Sequence, residues 1–287
     1  MRAFNVETAR VLDSAKEKPL QLMRLRWWRD ALGDTLPNEL SAEASGAGQP
    51  KRRSGVVNPS VAGHPVLQAL TAATAGLPPP SVAQLRACLE RLTLAREADA
   101  GLESVPPSLE ALLSYAQAAG GSVLEAVMHC TPGALDRRAH SPGDDACAAL
   151  DAARRVGTGV CLAALLAGTR HHLAAGRVYL PADVLADTAL QLDSLRTEGS
   201  SEAARRAFAA VAAVAQTQLA AARALRGSMT PAAARVLLPA TPAGLYLDAL
   251  QKEGSNALAD ALARPGGVVS PISLQARLAW AAWRGTF

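Results

Sequence analysis

Two neighbouring histidines, His171 and His172, are the side chains in this sequence that most strongly suggest metal chemistry. Successive residues of an α-helix point about 100° apart, whereas helical histidines that share one metal ion are usually four residues apart. We therefore interpret the pair as helix-end histidines that interact with the helix dipole. The adjacent acids Asp144 and Asp145 are typical of a helix N-terminus. The residues alone predict no metal site.

The sequence lacks the common motifs of nucleotide binding and hydrolysis. It contains no Gly-rich phosphate loop, no HExxH and no GxSxG. Any activity must therefore come from side chains that separate helices bring together.

The two histidines lie in a long apolar stretch that runs from Gly157 to Pro181. We predict a central helix from about Asp144 to His172, bent near its glycines. Gly176 stands where a helix often ends on a left-handed residue, and Pro181 prevents the helix from resuming at once.

The composition favours an all-α fold. Of 287 residues, 49% are hydrophobic but only 3% are aromatic, and no run alternates between apolar and polar residues as a strand would. We predict a single large helical domain over residues 1–287. Because the net charge is only +4 and the basic residues are scattered, nucleic-acid binding is not expected. No stretch reaches the ~20 apolar residues of a membrane span, so we expect a soluble or peripheral protein.

The second predicted helix has an apolar stripe on one face, formed by Leu20, Met23, Trp27 and Ala31. After it, residues 37–63 are rich in Gly, Ser and Pro, with only a short basic cluster, and we predict a disordered insertion there.

A pair of glycines, Gly120 and Gly121, lies in the middle of a later predicted helix. Each glycine costs about 1 kcal/mol relative to alanine in a helix interior. We therefore expect either close helix packing or a kink around a cavity at this point.

The order of several segments resembles the squalene/phytoene synthase family. These segments are Ala3-Phe4, Leu22 to Trp28, His64-Pro65-Val66, Ser114-Tyr115-Ala116 and the GRVYLP stretch ending at Pro181. Within the family, the opening AFNVETARVLD and the closing Trp283 to Phe287 resemble a mitochondrial subgroup of complex I assembly factors. The resemblance covers the chain except for the insertion and the family's earliest helix, and it implies an isoprenoid-synthase fold.

The same resemblance draws attention to what is missing. Active members of the family carry two aspartate-rich motifs on facing helices, whose carboxylates hold Mg²⁺ against a prenyl diphosphate. The first motif falls on Ala9 to Asp13, where Ala9 and Arg10 replace two acids and only Asp13 is retained. The second falls on Gly168 to His172, with no acid at either end. The resemblance therefore implies a degenerate pocket without Mg²⁺ or any other cofactor, and no catalytic residue.

The basic and phenolic residues around the second motif are candidate pocket or anion contacts. They are Arg170, His171, Arg177 and Tyr179. Arginines can bind a diphosphate directly, so a metal-independent reaction is an alternative, although no residue is identified as its acid or base.

Three functions remain open at this point. The resemblance favours a non-catalytic factor for the assembly of mitochondrial respiratory complex I, a pseudoenzyme that contacts complex I subunits or other assembly factors. It would lie on the matrix side of the inner membrane, in peripheral or lipid contact. Because Met1 to Phe4 enter a helical pattern at once, we expect that the protein needs no presequence or that the sequence starts downstream of one. The alternatives are a prenyl-diphosphate transferase and a lipid or isoprenoid carrier without turnover.

Overall fold

The computed structural model describes residues 1–15, 17–36, 63–102, 104–136, 145–197, 201–264 and 266–287. The first half of the fold consists of α1 (Arg2–Ser14), α2 (Lys18–Thr35), α3 (Pro65–Thr74), α4 (Pro79–Gly101), α5 (Leu109–Ala116), a π-helical segment (Gln117–Gly121) and α6 (Ser122–Cys130). The second half consists of α7 (Asp145–Ala167), α8 (Thr169–Ala174), α9 (Ala182–Thr188), α10 (Leu192–Thr197), α11 (Glu202–Ala224), a 3₁₀ turn (Leu225–Ser228), α12 (Pro231–Val236), α13 (Ala240–Lys252), α14 (Asp260–Ala263) and α15 (Pro271–Arg284).

These elements confirm the predicted all-α fold class, since the described residues contain no strand. The helix starts follow local chemistry. Side-chain oxygens cap α5, α11, α12 and α15, and the donors of these bonds are backbone N–H groups three residues further on. Proline stands in the first turn of α12 and α15, where its missing N–H costs no helical hydrogen bond.

The central helix is shorter than predicted. It ends at Ala167, and α8 follows after Gly168, which has φ −83° and ψ 3°. The glycines of this helix, near which a bend was expected, serve close packing. A β-carbon on Gly157 would lie 2.3 Å from the carbonyl oxygen of Gly120, and one on Gly159 would lie 2.8 Å from the side chain of Leu219 in α11.

The glycine pair predicted to mark close packing or a kink lies against the central helix. Gly120 and Gly121 end the π-helical segment, and a β-carbon on Gly120 would lie 2.2 Å from the carbonyl oxygen of Gly157. The absence of side chains on both helices lets their backbones touch. Close packing is therefore the reason for the pair.

Two apolar cores lie side by side. The first surrounds α7, α11 and α13 and is built largely from alanine and leucine. The second joins α1, α2, α3 and α4 around Phe4, Trp28 and Leu89. Tyr115 and Cys161 pack against both cores, which places them in the middle of the molecule.

The predicted apolar stripe of α2 is wrong in register. The helix buries Leu25, Trp28, Ala31 and Leu32, whereas Met23 is 61% exposed. The buried residues follow one stripe, at i, i+3, i+6 and i+7, that is rotated from the predicted stripe, because this is the face that packs into the second core against α1, α3 and α4.

Two features of the sequence fall outside the residues that the structure describes. One is residues 37–62 of the predicted insertion, and the other is the helix start predicted at Ser141 to Asp144.

Within the described ranges, one helix, Glu202–Ser228, is long and apolar enough to cross a membrane. Its mean hydropathy is 1.3. One face of it packs on α7 as part of the first core, and 33% of its most apolar window is buried.

Candidate functional site

The retained acid of the first motif, Asp13, is held by basic residues of the second. Near the end of α1, its Oδ1 accepts a hydrogen bond from the guanidinium of Arg177 and lies 3.5 Å from Nε2 of His171. The side chain of Arg177 is only 26% exposed. The structure therefore brings Asp13 of the first motif together with His171 of the second, as predicted. A metal ion at this position would need further carboxylates, but the partners of Asp13 are basic residues.

The end of α8 places Arg177 beside Asp13. Gly176 adopts a left-handed conformation with φ +74°, which confirms its predicted role. The N–H of Arg177 donates to the carbonyl of His172 over 2.8 Å, and that of Gly176 donates to Leu173 over 3.0 Å. This pair of bonds turns the chain back over α8 and directs Arg177 towards α1.

The two ends of the second motif, Gly168 and His172, contact each other. A β-carbon on Gly168 would lie 2.8 Å from Nε2 of His172, so the histidine ring covers the position where an acidic side chain would start. The ring also packs edge-on against Tyr179, with centroids 4.8 Å apart. Burial, with the positive charge of Arg177 and His171, lowers the pKa of His172 to about 4.

A second carboxylate, Asp99 near the end of α4, lies in the same region. Its Oδ2 accepts hydrogen bonds from the hydroxyls of Tyr179, over 2.8 Å, and Tyr115, over 3.3 Å. Arg96 donates to the hydroxyl of Tyr115 over 2.6 Å. Burial raises the pKa of Asp99, against the lowering effect of the Tyr179 hydrogen bond and the Arg96 charge. The two phenols thus satisfy Oδ2 of this acid, and Arg96 is linked to it through the hydroxyl of Tyr115.

Sequence reasoning missed Asp99 and Arg96 as members of the site. A signal was present, because residues three apart near a helix end share a face and α4 carries both. The resemblance pointed to Tyr179 and to the helix of Tyr115, but it did not indicate which acid they contact.

The remaining predicted residues have other surroundings than the Asp13 pair. Arg170 donates to Asp260 over 2.6 Å and to the carbonyl of Leu258, so it binds the start of α14. Arg10 is exposed and lines a separate groove, and Ala9 is partly buried in α1. Arg170 is therefore turned towards α14, whereas Ala9 and Arg10 lie within about one helical turn of Asp13.

The groove at Arg10 lies between α1 and α2 and has a volume of about 410 Å³. The aromatic residues on its wall are Trp27, Trp28 and His64. Trp28 is buried and Trp27 is partly exposed, so the adjacent tryptophans have different surroundings.

The residues of the site do not fit the Mg²⁺ cluster that the family implies. Mg²⁺ prefers oxygen ligands in near-octahedral geometry and is usually bound through carboxylates and substrate phosphates. Asp13 is paired with Arg177, and Asp99 is bonded to two phenols. Among the described residues, no group of three or more His, Cys, Asp or Glu side chains is arranged to hold a metal ion.

The interior next to this site is filled by side chains. The cavity that Leu166, His172, Arg177, Tyr179 and Val211 help to line has a volume of about 10 Å³. This is about the space of one water molecule, whereas pockets for organic ligands measure about 300 Å³ or more. In this conformation the cavity has no room for a prenyl chain.

Comparisons with known proteins agree with this fold. Residues 1–284 match the family described as squalene/phytoene synthase. No curated protein sequence matches the chain.

Two solved structures are similar in fold. One is the squalene synthase HpnC from Alicyclobacillus acidocaldarius, with a TM-score of 0.58 and 20% identity, covering 87% of this chain and 81% of that one. The other is a dehydrosqualene synthase in complex with a ligand, with a TM-score of 0.70 and 14% identity, covering 99% of this chain and 85% of that one. At these identities the similarity establishes the fold, and the family match over nearly the whole chain shows that this protein belongs to the squalene/phytoene synthase family.

Proposed function

We propose that this protein is a non-catalytic member of its family, a pseudoenzyme in which the fold is kept and the diphosphate chemistry is lost. The observation that carries the proposal is the pairing of Asp13 with Arg177 and His171. Ionisation of a prenyl diphosphate by metal requires several carboxylates that share cations with the substrate. Here the retained acid is paired with a partly exposed arginine, and His172 covers Gly168 at the other motif.

The closed interior supports the same proposal. With about 10 Å³ of free space beside His172 and Tyr179, a substrate could enter only if the side chains of the Asp99 network moved apart. That movement would break hydrogen bonds that hold a buried acid, which is costly. The site is therefore built as a structural junction between α1, α4 and α8.

The specific role that we propose is assembly of mitochondrial respiratory complex I. It rests on the opening and closing segments that resemble the assembly-factor subgroup, together with the degenerate motifs. The protein would act by contact with complex I subunits or other assembly factors, on the matrix side of the inner membrane.

Gene deletion tests this role. We expect the amount of assembled complex I on a native gel to fall after deletion and to recover when the wild-type gene is restored. The Asp13→Asn variant should restore it equally, since the role needs no acid at this position. Unchanged complex I after deletion would contradict the proposed role.

A second function, transfer of a prenyl group, is favoured by family membership and by the two similar structures, both named as synthases. In a metal-independent form, Arg177 and His171 would bind the diphosphate in place of Asp13, since arginine binds phosphate oxygens well. Release of diphosphate by the purified protein distinguishes this function from the first.

The carrier hypothesis is not favoured by the filled interior. A lipid or isoprenoid that co-purifies with the protein and is identified by mass spectrometry would reverse this judgement. Replacement of Val211, which lines the small cavity, by a larger residue should then weaken the binding of that lipid.

A further inference from the structure

The helix α15 presents an apolar face to solvent. Its exposed large residues include Ile272 (84% exposed), Trp280 (57%) and Trp283 (76%). Exposed apolar patches on a folded protein commonly mark an interaction surface. Of the residues within α15, only Ala281 is buried.

The exposed apolar residues lie on one side of the helix. They are Ile272, Ala276, Ala279, Trp280 and Trp283, and their spacing of i, i+4, i+7, i+8 and i+11 places them in one stripe. On the other side, Ala281 and the partly buried Leu274 and Leu278 face the protein, where α15 contacts α13. The inner apolar side of the helix therefore packs against the protein, and the outer apolar side is exposed to solvent.

The charged residues beside the outer stripe are all basic. Arg277 and Arg284 flank it, and α15 contains no Asp or Glu. Arg284 lies 5.3 Å from the ring centroid of Trp280, and the two tryptophan rings are 5.1 Å apart. The stripe thus combines indole rings with guanidinium groups at its edge.

Two further arginines lie at the end of α15. Arg226 donates to the carbonyls of Gly285 and Arg284, and Arg223 donates to the carbonyl of Phe287. Both side chains belong to exposed residues. None of the four arginines forms an ion pair with a residue in the described ranges. The end of the helix is therefore rich in basic side chains.

We propose that α15 binds in the plane of an anionic lipid membrane, with its outer stripe in the interface. A helix with arginines on its polar edge and tryptophans on its apolar face is typical of interfacial membrane binding. Indole rings favour the boundary between lipid chains and headgroups, and arginines are attracted to anionic headgroups. The 14 residues of α15 give a contact about 21 Å long.

An acidic protein groove is the competing occupant, and two observations favour lipid. The stripe ends in a pair of tryptophans beside Arg284. Tryptophan and arginine side chains are amphipathic, so they can contact both the apolar chains and the charged headgroups of a membrane. Three of the four arginines, Arg223, Arg226 and Arg284, lie at the C-terminal end of the helix, and Arg277 lies near its middle. Basic groups along and beyond the stripe suit a surface of uniform negative charge.

Vesicle flotation of the full chain tests the proposal. Vesicles of phosphatidylcholine alone are compared with vesicles of equal parts phosphatidylcholine and phosphatidylglycerol. We expect the protein to float with the mixed vesicles and much less with the neutral ones, and to be released as salt increases. The paired substitution Trp280→Ser with Trp283→Ser should weaken binding at least about tenfold, and Arg277→Gln with Arg284→Gln about tenfold.

A matched control replaces two exposed apolar residues elsewhere. Met23 and Val6 are 61% and 50% exposed, and Met23→Ser with Val6→Ser should leave binding unchanged. Circular dichroism checks that each variant keeps its helix content.

The proposal is overturned if the wild-type chain does not float with the mixed vesicles, or if the tryptophan pair can be replaced without loss. Equal binding to neutral vesicles would overturn the anionic preference. Cross-linking of α15 to a protein, without vesicle binding, would assign the stripe to a protein partner instead. The assay needs neither turnover nor complex I, so its failure would leave the proposed function standing.

Discussion

Arg177 donates a hydrogen bond to the carboxylate of Asp13 across 164 positions of sequence, joining the ends of α1 and α8. The acid comes from one degenerate motif, and the arginine directly follows the glycine that ends α8. In this chain, an ion pair therefore connects the two helices on which the family resemblance implies a metal and diphosphate site.

The ion pair should contribute modestly to stability, because both side chains are partly exposed, 44% for Asp13 and 26% for Arg177. A double-mutant cycle of Asp13→Asn and Arg177→Gln should give a coupling free energy of about 1 kcal/mol by chemical denaturation. A coupling near zero would mean that the two side chains do not pair in solution.

Contact between Gly120 and Gly157 predicts a large loss of stability for Gly120→Ala. The new β-carbon would meet a backbone carbonyl oxygen at 2.2 Å, and backbone cannot move aside as a side chain can. We expect a loss of about 3 kcal/mol or more in the free energy of unfolding. Gly101→Ala, at a helical glycine with no neighbour within 4 Å, is the control and should be neutral or stabilising by up to about 1 kcal/mol. Equal effects at both positions would contradict the close contact.

Glu125 joins three helices through two arginines. It is buried in α6, and its oxygens accept hydrogen bonds from Arg91 of α4 and Arg154 of α7. Glu125→Gln leaves two half-exposed guanidinium groups without their anion and weakens two charge-assisted hydrogen bonds, so it should lower the free energy of unfolding by about 2 kcal/mol. Glu90→Gln removes a carboxylate that is more exposed (34% against 5%) and has one arginine partner, Arg86, so it should cost less than about 1 kcal/mol. Thermal or urea denaturation of the two variants compares them directly.

Stability should depend on pH through His172. Its pKa of about 4 in the folded chain lies below the usual 6.5, so between these values the unfolded chain binds a proton that the folded chain does not. The stabilisation is therefore complete above pH 6.5 and is lost as the pH falls towards 4, by about 3 kcal/mol at most. The difference between the wild type and His172→Gln, measured by urea denaturation from pH 7 to 4, isolates this residue. Parallel curves for the two proteins would show that His172 titrates normally.

The sequence was sufficient for the fold class because the helix signals are local. Caps such as Ser108 and Ser201, and Gly176 at the end of α8, act within a few residues. Placing the two family motifs on the sequence was also sufficient to predict that Asp13 lies near His171.

The parts that the sequence did not predict depend on contacts between distant helices. The register of α2 was wrong because contacts with α1, α3 and α4 decide which face of the helix is buried, so Met23 is exposed while Leu25 is buried. Asp99 was missed because its partners Tyr115 and Tyr179 lie far from it along the chain. Periodicity reports which face is apolar, but it does not report which polar groups meet inside the fold.

The central claim, that this member of the family does not ionise prenyl diphosphates, is tested most directly by measuring diphosphate release. The purified chain is incubated with Mg²⁺ and farnesyl or geranylgeranyl diphosphate, beside an active squalene synthase as a positive control. The account predicts no release above a protein-free blank, for the wild type and for Asp13→Ala alike. Release by the wild type that is abolished in Asp13→Ala would contradict it.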